Sequence, residues 1–281
     1  MAKHLVLQTD FGQQDGAVST MYGVAYKVNS DLTVSDLTHG ITPFNIFEGS
    51  FRLSQTVKYW APETVFVSVV DPGVGSDRLS IVAKLKTGHY VVTPDNGTLT
   101  HLAQEYGIEA VRVIDEKINR LKGSSKSATF HGRDIYAYTG ARLASGVIDF
   151  TEVGPEYAVE KIVKLPLNLP RLENGVLTGN IDITDVNFGS LWTNIHEELW
   201  TGEFGAQLGD WFTVKIYHRN VLQAQQKLQY VKTFADVNPG EALIYVNSVY
   251  TVGFAIHTGN FATQNNVTAG QDWSVEIEKL K

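Results

Sequence analysis

The chain reads as an α/β protein, with an N-terminal α/β/α sheet domain and a smaller C-terminal domain, antiparallel and β-barrel-like. Two patterns in the 281 residues predict this. In the first half, short β-rich runs alternate with segments of helical period, the mark of a sheet with substantial parallel pairing. In the second half, half-buried alternation punctuated by glycines replaces the helical period. Pro155, Pro166 and Pro170 fall between the two and suggest a linker. The expected domains are residues 1–165 and 170–281.

The elements follow in order. The apolar run 5–7 leads to Asp10. Ala17, Val18, Met21, Tyr22, Ala25 and Val28 then recur at helical spacing, and Asp15 is placed to cap that helix. Val34 leads to Asp36, the run 65–70 to Asp71-Pro72-Gly73, and the run 90–92 to Asp95-Asn96-Gly97. Leu99, Leu102, Ala103 and Tyr106 form a second helical face, and Gly107 is its stop. Ile135, Tyr138 and Arg142 share one face of a third helix, entered at His131-Gly132-Arg133-Asp134. Beyond the prolines, residues 176–183, 211–217 and 274–278 alternate as half-buried strands. In parallel sheets ligands bind outside the carboxyl ends of the strands, which is where these aspartates stand.

Composition excludes several classes. Lys plus Arg is 23 and Asp plus Glu is 30, a net charge of −7, which argues against a nucleic-acid backbone as partner. Without cysteine there is no disulfide framework, thiolate zinc site or cysteine nucleophile. The first apolar run is too short for a signal peptide, and no run approaches membrane-span length. A cytoplasmic location is therefore expected, with no membrane and no nucleic acid as partner. The chain carries no P-loop, no Gly-x-Ser-x-Gly elbow and no His-Glu-x-x-His helix. Gly73-Val74-Gly75 begins like a dinucleotide fingerprint, but Arg78 occupies the third glycine position.

Four constellations could carry chemistry. Asp71 and Arg78 bracket a Pro-Gly turn: they form either one pocket, with the Arg keeping the Asp ionised, or a β-turn with a surface ion pair. His131 stands at a helix N-terminus, where the macrodipole favours the neutral imidazole. It can accept a proton or position a water, or it merely caps or packs. Asp10 and Asp15 are paired carboxylates suited to ribose hydroxyls or an amino group, unless Asp15 simply caps the helix. Asp185, Phe188 and Trp192 offer a carboxylate and two aromatic faces, or else a hairpin with core aromatics.

Taken together, these blocks resemble one family. They are Thr9-Asp10-Phe11-Gly12 with Asp15, Asp36-Leu37-Thr38-His39-Gly40-Ile41-Thr42-Pro43, Val70-Asp71-Pro72-Gly73-Val74-Gly75 with Arg78, Pro94-Asp95-Asn96-Gly97, Phe130-His131-Gly132-Arg133-Asp134, and Phe188-Gly189-Ser190-Leu191-Trp192-Thr193-Asn194-Ile195. Their order is similar to that of the S-adenosyl-L-methionine (SAM) hydrolases, the SAM hydroxide adenosyltransferases of the fluorinase and chlorinase superfamily, over nearly the whole chain. The resemblance implies displacement at ribose C5′, with adenosine and methionine as products and no metal or organic cofactor. It also implies a homotrimer, in which SAM sits between the N-terminal domain of one subunit and the C-terminal domain of its neighbour.

Residue by residue, the resemblance makes Asp71, Arg78 and His131 the water-handling set. Asp10 would bind the ribose hydroxyls, and Asp15, Asp185 and Ser248 the methionine moiety. Phe44, Phe188 and Trp192 would wall the pocket, and Asn96 and Phe130 would be further substrate contacts. Ser190 stands where the family usually has an asparagine on the adenine side. Asn45 replaces a frequent aspartate, and the segment from Asn247 to Gly259 departs at its usual Gly and Asn positions. Halogenating relatives lack the equivalents of Asp71 and His131, and the fluorinases carry a long insertion absent here, so the resemblance points to hydrolysis. An anionic pocket agrees, because it repels halide and can orient water. A binding module with little turnover and a SAM-dependent halogenase are the alternative readings.

Overall fold

Strand β1 (Leu5–Thr9) is buried at every position, as a strand covered on both faces must be. In the computed structural model, which describes residues 4–280, β1 lies between two parallel neighbours, β2 (Val34–Thr38) and β3 (Val65–Val69). The sheet is completed by β4 (Ser80–Leu85), β5 (Tyr90–Pro94), β6 (Ile108–Val113) and β7 (Glu156–Tyr157), in the order β2-β1-β3-β5-β4-β6-β7. β5 pairs parallel to β3, whereas β4, β6 and β7 join through antiparallel pairings.

Period two divides the apolar side chains between the sheet's faces. Leu5, Leu7, Val65 and Val67 pack on one face, with Met21 and Ala25 of α1 (Ala17–Val28). Val6 and Phe66 turn to the other face, to meet Leu53 and Val57 of α2 (Ile46–Val57) and Leu102 of α3 (Thr100–Glu105). Ala141 and Leu143 of α4 (Tyr138–Ala144) rejoin the first face. Each of these buried Leu, Val, Phe and Met side chains contributes about 1.5–3 kcal/mol of transfer free energy.

Three expectations need adjustment. α1 is preceded by Gly16 at the cap, and Asp15 accepts the Ala17 N–H at 2.8 Å from one position further out. The third helix opens as a π-helical turn, Gly132–Ala137, before continuing as α4. Pro155 lies just ahead of β7 inside the first unit, and the chain divides after Leu165.

The second unit comprises β8 (Arg171–Glu173), β9 (Val176–Thr184), β10 (Leu191–His196), β11 (Trp211–His218), β12 (Val221–Tyr230), β13 (Ala242–Val246), β14 (Thr251–Ile256) and β15 (Trp273–Lys279), with α5 (Phe261–Asn265) between the last two. Seven strands close in the order β9-β10-β14-β13-β12-β11-β15 and back to β9, while β8 extends β9 outside the ring. The pairings are antiparallel except for a short parallel contact of Gln229 and Tyr230 with Leu243 and Ile244. Closure removes free sheet edges within the ring. Phe212, Val214 and Ile216 point inward along β11, around the fully buried Trp200.

Candidate active site

In the first unit the chain leaves β1 toward β2 on one side and returns to β3 on the other, so the strand order reverses at β1. A crevice is expected outside the carboxyl ends of strands at such a point. A cavity of about 470 Å³ opens there, lined by Asp10, Phe11, Phe44, Asp71, Phe130 and His131 among others. That volume suits a small organic ligand. A larger groove of about 630 Å³ on the second unit is lined by amides such as Gln226 and Gln229. Its two carboxylates, Asp236 and Glu241, are taken up by backbone N–H groups of their own turns.

The cavity's chemistry centres on Asp71, Arg78 and His131. Arg78 Nε donates to Asp71 Oδ1 at 2.9 Å and Nη2 donates to Oδ2. This pair is buried, with side-chain exposures of 11% for Arg78 and 5% for Asp71, so it is not the surface ion pair that the sequence left open. Burial works against the Arg78 charge, but the Asp71 hydrogen bonds together with the Tyr136, Asp71 and Glu116 charge interactions outweigh it and raise the Arg78 pKa. Nη2 also lies 3.1 Å from His131 Nδ1.

That contact assigns the imidazole. A guanidinium has donors and no acceptor, so Nδ1 accepts and the ring hydrogen is on Nε2. Burial first, then the Arg78 charge, pushes the His131 pKa below its ordinary value and keeps the ring neutral. Among the described residues, Nε2 is buried without a protein partner. It is therefore an N–H donor with its hydrogen bond unmade, on a residue that lines the same cavity as Asp71. A water can be held between such a donor and a carboxylate acceptor.

Two supporting residues escaped the sequence reading. Arg78 Nη1 donates to Ser80 Oγ at 3.0 Å, and Ser80 Oγ lies 3.1 Å from the Tyr136 hydroxyl. The guanidinium carbon sits 5.6 Å from the Tyr136 ring centre. Tyr136 follows His131 by five positions, which share a side in a π-helical turn but not in an α-helix. Ser80, two residues beyond Arg78 at the start of β4, is the signal the sequence did offer.

The remaining first-unit residues divide. Asp10 Oδ2 accepts the Phe44 N–H at 2.8 Å. Phe44 is 71% exposed and has a φ of 68°, a conformation rare for an aromatic residue. Asp10 and Asp15 both line the cavity, yet each holds a different backbone N–H and they do not hydrogen-bond as a pair. Phe130 meets Phe11 edge-on at 5.7 Å, and the Arg133 guanidinium lies 4.8 Å from the Phe130 ring centre. Gly132 permits this packing, since a Cβ there would come within 2.9 Å of the Phe11 ring. Asn96 is committed elsewhere: its Nδ2 donates to Val70 O and its Oδ1 accepts from Thr98. It braces the segment leading into Asp71 and does not line the cavity.

In the second unit, Asp185 Oδ1 accepts the N–H groups of Asn187 and Phe188 at 3.1 and 3.2 Å, which closes the β9–β10 turn. Phe188 at its tip is 70% exposed. Ser190 is buried beside the Tyr245 hydroxyl, which accepts Trp192 Nε1–H at 3.0 Å. Ser248 is exposed in the turn between β13 and β14.

Comparison with known proteins adds to this geometry. The model of the SAM hydroxide adenosyltransferase N-terminal domain matches residues 5–154, and that of the C-terminal domain matches residues 179–274. The chain is 35% identical to an (R)-S-adenosyl-L-methionine hydrolase of Salinispora tropica, covering 93% of each. It is 28% identical to a fluorinase of an Actinoplanes species, covering 95% of each. A solved structure of a conserved protein from Thermotoga maritima superposes with a TM-score of 0.89 at 32% identity, covering 98% of this chain and 99% of that one.

Proposed function

The chain belongs to the SAM hydroxide adenosyltransferase family, and from that premise we propose that its cavity hydrolyses SAM to adenosine and L-methionine. The observation that carries this reading is the buried Asp71–Arg78–His131 group at the carboxyl ends of β1 and β3, with an unpartnered N–H at Nε2. Water attacks C5′ of the ribose in line with the sulfonium. The C5′–S bond breaks, its electron pair returns to sulfur, and methionine leaves as a neutral thioether. The sulfonium makes C5′ electrophilic by itself, so the reaction calls for no cofactor and SAM is simply substrate.

In this reading the attacking water is shared between two residues of the cavity. His131 Nε2–H donates to the water oxygen and Asp71 accepts from its proton, which Asp71 passes to solvent as the C–O bond forms. His131 is thus an orienting donor, and its Nδ1 cannot take the proton while Arg78 occupies it. Positioning and exclusion of bulk water supply most of the rate. Asp10 takes the ribose hydroxyls, with Phe44 and Phe130 against the nucleoside. Asp15 takes the methionine ammonium.

The Asp185 turn, Phe188, Ser190, Trp192 and Ser248 complete the site as the contribution of a neighbouring copy in a homotrimer. The exposure of Phe44 at 71% and Phe188 at 70% supports this, since each presents an uncovered aromatic face. The deciding experiment is incubation with each sulfonium epimer of SAM in isotope-labelled water, with and without excess chloride, read by mass spectrometry. Label at the 5′ oxygen of adenosine, from the (R) epimer and unchanged by chloride, is the expected result. A chloride-dependent 5′-chloro product would make the protein a halogenase. Tight adenosine binding with intact SAM would make it a binding module.

A further inference from the structure

A polar chain next to the cavity, buried at its Thr9–His39 end and exposed at Asp36, takes no part in the reaction as derived. Tyr22 of α1 donates its hydroxyl to Asp36 Oδ1 at 2.8 Å, and His39 Nε2 lies 2.8 Å from the same oxygen. His39 Nδ1 lies 2.8 Å from Thr9 Oγ1, which accepts the Phe11 N–H at 3.1 Å. Thr9 and His39 are 0% and 2% exposed. The proton positions follow from the ends inward. The Asp36 carboxylate accepts only, so His39 gives it the Nε2–H, and in the neutral ring Nδ1 then accepts the Thr9 O–H. Burial, then the Asp36 carboxylate, raises the Tyr22 pKa, so that hydroxyl remains a donor.

The chain ends on the loop that carries Asp10. His39 holds Thr9, immediately before Asp10, through its ring, and holds Gly12, two residues after it, through its carbonyl at 2.8 Å. Thr9 in turn holds the Phe11 N–H. The Asp10 backbone is thus fixed from both sides by one histidine, itself oriented by Asp36 and Tyr22. A carboxylate that accepts from two neighbouring ribose hydroxyls needs that fixed orientation, because a small rotation breaks one of the two bonds.

We propose that His39, oriented by Asp36 and Tyr22, is a positioning residue that sets Asp10 through Thr9 and so gives the site its preference for a ribose with both hydroxyls. The proposal rests on the reading of Asp10 as the ribose-binding group. A site built to hydrogen-bond hydroxyls strongly rejects an analogue that lacks them, because its polar groups are then left unpaired.

The test is calorimetric binding of adenosine and 2′,3′-dideoxyadenosine to the full chain and four variants. Thr9→Val exchanges the hydroxyl for a methyl of similar size, and Thr9→Ser restores it. His39→Gln keeps a donor toward Asp36 and removes the acceptor toward Thr9, and Asp10→Asn removes the ribose group. The unaltered protein should prefer adenosine by about 100-fold, the size expected of charge-assisted hydrogen bonds to one carboxylate. Thr9→Val and His39→Gln should each reduce that preference about tenfold, by weakening adenosine alone, and Thr9→Ser should retain it. Equal weakening of both ligands would mean a merely structural role and overturn the proposal, as would an unchanged preference in Thr9→Val. Should Thr9→Val not fold, His39→Gln carries the same comparison with the same two outcomes. If Asp10→Asn keeps the preference, the Asp10 reading fails and the proposal falls with it. If Asp10→Asn loses the preference while His39→Gln keeps it, the proposal alone fails.

Discussion

Asp71 and Asp185 both stand just beyond the carboxyl end of a strand, β3 in the first unit and β9 in the second, yet they hold unlike partners. Asp71 is buried against a guanidinium. Asp185 accepts two N–H groups of its own turn and so shapes the loop that carries Phe188. In the first unit, charge is paired with charge next to a donor left open, an arrangement that is costly to bury and weak evidence of stability. In the second, polar groups are satisfied locally and an aromatic face is what the loop offers. On the proposed reading, this contrast would have the first unit perform the chemistry and the second supply shape.

The sharpest way to break the contrast is Asp71→Asn, which preserves volume and removes the proton acceptor. Single-turnover hydrolysis of SAM should slow by about 100-fold or more, with adenosine affinity within about threefold. Asp185→Asn keeps an oxygen for the turn, so its effect should fall on KM and remain below about tenfold. If both variants lose turnover alike, the two aspartates do not differ in kind.

The elements were legible where period and turn chemistry agree. β1, β3 and β5 each show an apolar run leading to an aspartate, α1 shows helical spacing behind Asp15, and the blocks at Asp71 and His131 stood out beside such signals. What was illegible depended on contacts distant in sequence. Asn96 looks like a ligand residue because it sits after a strand in a Pro-Asp-Asn-Gly turn, and only the fold reveals that its amide reaches back to Val70. Tyr136 was assigned no role because an α-helical period does not place it beside His131. The parallel contact of β12 with β13 joins strands whose sequence alternation is indifferent to direction.

A second difference lies in how the units respond to pH. In the first, His101 is half-buried against Phe47 and Phe51, and its desolvation lowers its pKa to about 4. The folded ring stays neutral while the unfolded one takes up a proton below its ordinary pKa of 6.5. Stability is therefore lost as pH falls from about 6.5 toward about 4, by up to about 3 kcal/mol. In the second unit burial pushes Asp182 up to about 7, opposed by the Asn180 hydrogen bond. Here the folded form holds the proton, so stability is fullest at low pH and is lost as pH rises through about 7, by up to about 4 kcal/mol. Asp182→Asn should therefore stabilise the second unit at pH 8 and change little at pH 4. His101→Gln should flatten the acid limb of the first. Hydrogen exchange resolved to each unit would read both, and a shared pH profile would show that the two units unfold as one.

The smallest effect concerns the aromatic faces. Phe188 is exposed at the tip of its turn and meets no core, so Phe188→Ala should leave the melting temperature unchanged within about 2 °C. If the second unit supplies shape alone, the loss should appear as a rise in KM for SAM of about tenfold, with kcat within about twofold. Phe130→Ala makes the comparison. Phe130 adjoins His131, packs edge-on against Phe11 and lies under Arg133. Removing it frees the start of the π-helical turn, so both KM and kcat should suffer. A fall in kcat for Phe188→Ala as large as that for Phe130→Ala would mean that the turn in the second unit also aligns the reacting atoms. A side chain that only walls the pocket holds substrate and transition state equally, so its removal weakens both together and leaves kcat alone.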